Sequence, residues 1–171
     1  MSLSYIAGFT VGILIVLAVF LIARKKLVGC TKYDERQKAL QGVAYKVGFF
    51  AMFAYFIING FICMELGNWM PVFEMNFIGI GVGVVCYAGY AIFKDAYISL
   101  NAKPLRFLLF MAFVAVINYI SFFANSGINS DIPEVYLTNL VCGILLTAVC
   151  VMLIIKIIID KVNAKKELVE E

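Results

Sequence analysis

Histidine is absent from this chain, proline occurs only three times and tryptophan once. The missing histidine removes the commonest general base, the commonest metal ligand and the usual haem ligand together, which argues against zinc-hydrolase and haem chemistry. The five cysteines, Cys30, Cys63, Cys86, Cys142 and Cys150, contain no CxxC pair, so neither a thiol-redox motif nor a zinc knuckle is present. Charge is scarce as well. Only 15% of the 171 residues are charged against 64% hydrophobic, too little polar material to coat a soluble globule. No cofactor, metal or catalytic residue is expected, and the chain does not read as an enzyme.

What is present is hydrocarbon-length apolar sequence. Residues 1–23, 47–64, 75–93, 107–130 and 135–155 contain no Asp, Glu, Lys or Arg, and each run is long enough to cross about 30 Å of lipid as a helix. Barrel strands would alternate over about 10 residues, and uninterrupted runs of this kind satisfy their backbone groups only as helices. The first run has no Lys or Arg before it and exceeds a signal-peptide core, so it reads as a retained helix. The prediction is an all-α integral membrane bundle forming a single domain. Its five transmembrane helices are expected at about 4–23, 46–64, 76–95, 106–125 and 136–157.

The 14 basic residues fall into three groups, at 24–46, 94–106 and 156–166, while the alternate loops hold only Glu65, Glu74, Asp131 and Glu134. This asymmetry predicts the N-terminus outside and the C-terminus inside. A basic inner face suits an anionic leaflet. Nucleic-acid binding is not expected, because the basic residues are split over short segments without a binding module.

The first inner loop carries a helix start. Thr31 and Asp34 have capping-box spacing, Asp34 and Glu35 favour the positive end of a helix dipole, and apolar residues then recur at helical spacing. An amphipathic inner-face helix is expected at about 32–45, bending or continuing into the second span. Lys94 and Asp95, at the inner end of the third span, are expected to pair with Asp34, Glu35 or Arg36. Lys156 reads as an interfacial marker whose long stem lets its ammonium leave the lipid.

Gly79, Gly81 and Gly83 lack the strand and the Lys-Ser/Thr of a phosphate loop, so they are read as packing positions. Gly79 with Gly83, and Gly8 with Gly12, make two GxxxG faces, expected to join the third and first spans or to support a homo-oligomer. Asn118 and Ser121, three apart in the fourth span, are candidates for a small polar cavity, with bonding between helices the plainer role. No charged residue is expected at mid-membrane, which argues against a proton-coupled pump. Cys30, close to the inner end of the first span, could carry a palmitoyl group, with an unmodified small residue the favoured reading.

The stretch Tyr33-Asp34-Glu35-Arg36-Gln37, followed by Gly42-Val43-Ala44-Tyr45-Lys46 and an aromatic-rich span, resembles small multi-spanning membrane proteins of Gram-positive bacteria. Those families carry a DERQ-type stretch just before a transmembrane helix and are classed as domains of unknown function. The later Lys94-Asp95-Ala96-Tyr97 is similar too. The resemblance implies a bacterial cell membrane and brings no activity with it. It makes Asp34, Glu35, Arg36 and Gln37, with Lys94 and Asp95, the candidate cytoplasmic interaction motif. The leading expectation is an accessory or regulatory membrane component acting on a partner protein or anionic lipid. A solute-binding component or transporter subunit is the alternative, and an intramembrane enzyme ranks last.

Overall fold

A computed structural model describes residues 33–98, 104–126 and 134–170, with isolated positions 14 and 18. Apart from positions 14 and 18 the first predicted span, with Gly8 and Gly12, lies outside the described residues, as does Cys30. The rest form four helices and, among the described residues, no strand: α1 (Glu35–Leu66), α2 (Val72–Phe93), α3 (Pro104–Ser126) and α4 (Glu134–Glu170). All four contain a segment long and apolar enough to cross a membrane.

α1 begins where its sequence offers a cap. Asp34 itself is the N-cap, in extended conformation, and its Oδ1 accepts the backbone N–H of Gln37 at 2.5 Å. The inner-face helix and the second span are one continuous helix of 32 residues, about 48 Å long, well over the thickness of hydrocarbon. Gly67, at φ 75°, ends it, with its N–H bonded to the carbonyl of Cys63. Pro71 then starts α2, as a residue lacking an N–H can do without loss at a helix N-terminus.

α1 packs on α2, α2 on α4 and α4 on α3. α2 is the central element because glycines open two of its faces. A Cβ at Gly79 would strike the rings of Tyr55 and Phe56, and one at Gly83 would meet the backbone of Gly48 and Met52, all on α1. A Cβ at Gly81 or Gly89 would run into Leu145 or Met152 of α4. The first span, expected on this face, lies outside the described residues; the described neighbour of Gly79 and Gly83 is α1, the second predicted span. The reason is proximity in sequence: a five-residue connector brings α1 back along α2, where Gly48 offers the matching notch.

The best-buried apolar cluster lies further along α2 and α4, with Ala88, Ile92, Val149 and Leu153 at its centre and Phe107, Leu108 and Met111 of α3 packed against it. Elsewhere large apolar side chains face outward. On α1, Phe49, Phe50, Phe53 and Phe61 are each more than half exposed. Such a surface is costly in water and is matched by hydrocarbon.

Glycine is tolerated for different reasons along α1. Gly42 has nothing within 4 Å of a built Cβ, so no packing requires it. Gly42→Ala should stabilise the protein by about 0.5–1 kcal/mol through helix propensity alone, seen as a raised melting temperature in detergent.

Candidate functional site

The polar groups of the described residues collect at the two ends of the bundle. At one end α1 and α3 begin and α2 and α4 finish. Every described Lys and Arg belongs to this end, and all but Lys156 are exposed there: Arg36, Lys38, Lys46, Lys94, Arg106, Lys161, Lys165 and Lys166. The opposite end contributes Glu65, Glu74 and Glu134 and no described basic residue.

The basic end is closed by a clasp around the terminus of α2. That helix stops at Phe93 in a Schellman arrangement: Asp95 takes the left-handed conformation at φ 58°, its N–H bonds to Ile92 O at 3.2 Å, and the N–H of Ala96 reaches back to Ala91 O at 2.8 Å. Aspartate fills the position that glycine usually takes, and its side chain has work to do there. The carboxylate receives Lys156 Nζ of α4 at 3.0 Å, and Lys156 also pairs with Asp160 at 2.8 Å. From α1, Gln37 Nε2 donates to the carbonyls of Asp95 (2.7 Å) and Ile98 (3.4 Å), and Gln41 Nε2 donates to Ala96 O at 2.8 Å. Gln37 is buried, and its Oε1 has no partner.

The candidate interaction motif is thus divided. Asp34 serves as a cap, Gln37 is a buried tie, and Glu35, Arg36 and Lys94 are exposed. The carboxylate of Asp95 pairs across to Lys156 of α4, whereas pairing with Arg36 was expected. It is the main-chain carbonyl of Asp95 that meets the DERQ stretch, through Gln37. Lys156 is also more than an edge marker: its side chain is only 17% exposed and both its partners are acidic. With Asp95 itself 63% exposed, the ion pair contributes at most about 1 kcal/mol, so the amide ties fix the clasp more than the charges do.

Asn118 donates its side-chain N–H to Val114 O of its own helix at 2.9 Å. The polar bond between α3 and α4 is made one residue further on, where Tyr119 and Thr147 hydroxyls meet at 3.0 Å and the Tyr119 ring packs on Gly143. An apolar groove of about 450 Å³ runs between α1 and α2, lined by Tyr45, Phe49, Met52, Ile80, Val84 and Tyr87 among others.

At the opposite end the chain from α1 to α2 is stitched around Met75. Tyr55 Oη donates to Met75 O at 2.9 Å, the thiol of Cys63 contacts Met75 Sδ at 3.7 Å, and Trp69 Nε1 donates to Asn59 Oδ1 at 2.8 Å. Beside this lies the residue the sequence placed in a loop. Glu74 belongs to the first turn of α2 and is 1% exposed. Its Oε1 accepts from Thr138 Oγ1 of α4 at 3.2 Å, while Oε2 is buried with no partner. The sequence did carry a hint, an acidic residue three positions after a proline helix start, but nothing in it pointed to Thr138.

Among the described residues no group of His, Cys, Asp and Glu could hold a metal ion through three or more ligands. No family model, curated protein or solved structure matches the chain. The fold defines an all-helical protein with four described helices fit to cross a membrane, one basic end and one acidic end.

Proposed function

We propose that the chain is a multi-spanning integral component of a bacterial cytoplasmic membrane, with its basic end in the cytoplasm. It works there as an accessory or regulatory protein and not as an enzyme. The observation that carries this reading is the exposed basic collar, Arg36, Lys38, Lys94 and Arg106 with the end of α4, set around a clasp in which Gln37 and Gln41 tie α1 to the end of α2. The clasp gives the collar a fixed geometry, and an end in which exposed basic residues outnumber acidic ones attracts an acidic protein surface or an anionic leaflet. The likeness of the DERQ stretch to small membrane proteins of Gram-positive bacteria fits the same reading.

The orientation has its own test. In a background with the native cysteines replaced by serine, Asn68→Cys, in the exposed connector between α1 and α2, should be labelled by an impermeant maleimide in intact cells. Lys38→Cys should be labelled only after lysis, and the reverse pattern would overturn the orientation. For the function, the chain should be purified from native membranes in mild detergent. A partner should co-purify in low salt and be lost in high salt, and equally lost with Arg36→Gln and Lys38→Gln together. A chain that always emerges alone would count against the proposal.

A further inference from the structure

The buried carboxylate of Glu74 has no role in the basic collar, and its surroundings are chemically incomplete. A carboxylate removed from water is stable only when hydrogen bonds or an opposite charge replace its hydration. Glu74 is 1% exposed, yet only one of its oxygens is bonded, to a neutral hydroxyl at 3.2 Å. Oε2 is buried and empty-handed. Neither oxygen takes a backbone amide of the α2 first turn, although such amides are the usual partners of an acid at a helix start.

Among the described residues no positive charge completes the site. No Lys or Arg occurs between Lys46 and Lys94, or between Arg106 and Lys156, so the whole of α2 and the flanking halves of α1 and α4 are without a cation. The titratable neighbours cannot substitute. On α1, Tyr55 donates to Met75 O and Cys63 contacts Met75 Sδ. The described residues leave Oε2 without a partner, and a small positive ion is one that would satisfy it.

We propose that Glu74, with Thr138 beside it, is a binding site for one small cation, a proton or an alkali ion, taken up from the end of the bundle where α1 finishes. Position favours exchange with that side: Glu74 is the third residue of α2, one helical turn from the exposed connector at Gly67, Asn68 and Trp69. The site is independent of whatever meets the basic end, so either proposal can fail alone.

Dicyclohexylcarbodiimide tests it on the full chain in native membrane vesicles. The reagent partitions into apolar regions and reacts with a protonated carboxyl: the carboxyl oxygen bonds to the central carbon and the proton passes to nitrogen. The acyl group then migrates from oxygen to nitrogen, leaving a stable adduct equal in mass to acid plus reagent. Mass spectrometry should find the adduct on Glu74, increasing as the buffer is acidified and lost with Glu74→Gln. Suppression by sodium chloride relative to N-methylglucamine chloride identifies an alkali ion as the competing occupant, and acid sensitivity without suppression identifies the proton alone. No adduct on Glu74 in acidified buffer, or a yield indifferent to both acid and sodium, would overturn the proposal.

Discussion

Gly48→Leu should separate α1 from α2 and lower the unfolding free energy by about 3 kcal/mol or more, the upper part of the range for overpacking. The position gives no room for relaxation. A Cβ at Gly48 would sit 2.7 Å from the carbonyl oxygen of Gly83 and 3.0 Å from Tyr87 Cβ, and the first of these is main chain. Gly83 returns the contact, since a Cβ there would lie 3.0 Å from Gly48 O. Helices in lipid gain little from burying apolar surface and associate mainly through close packing, so a lost close approach is not recovered by a larger side chain. Gly42→Leu, on the same helix with open space around it, is the control. Denaturation in mixed micelles should show a large loss for the first and little for the second. Equal melting of the two would mean that the Gly48–Gly83 crossing does not hold the helices.

Gln37→Glu should be the most damaging change at the basic end, at about 3 kcal/mol or more. The side chains are nearly isosteric, but the substitution replaces an N–H donor with a charged acceptor aimed at two carbonyl oxygens, those of Asp95 and Ile98. Gln37→Leu removes the donor without adding charge. It should cost less, about 1–3 kcal/mol, partly offset because it also removes the unpartnered Oε1. Unfolding in detergent separates the cases. If leucine and glutamate behave alike, hydrogen bonding is not what fixes the clasp.

The sequence disclosed the helices and hid their neighbours. Charge-free runs in sequence became α1 to α4, and Asp34 was visible as part of a helix start because capping is a matter of three or four adjacent residues. Which face of each helix turns inward was not legible, since a helix bordering lipid is apolar on its outer side too and shows no amphipathic contrast. Only the glycines of α2 marked faces, and they did not name the partner. Gln37 meets Asp95 across 58 positions, a contact made by the fold and not by any local pattern. Glu74 was misplaced for a simpler reason: a charge next to Pro71 looks like a loop until the helix is known to start at Val72.

The order in which the helices pack differs from the order in which they are made. α4 is made after the other three described helices yet seats between α2 and α3, covering Gly81 and Gly89 with Leu145 and Met152 and giving Thr147 to Tyr119. A nascent chain halted after α3 would hold the α1–α2 hairpin with its glycines bare along one seam and α3 without its hydroxyl partner. Arrival of α4 therefore closes the four described helices together, and a chain cut short before it would present an open flank to neighbouring helices.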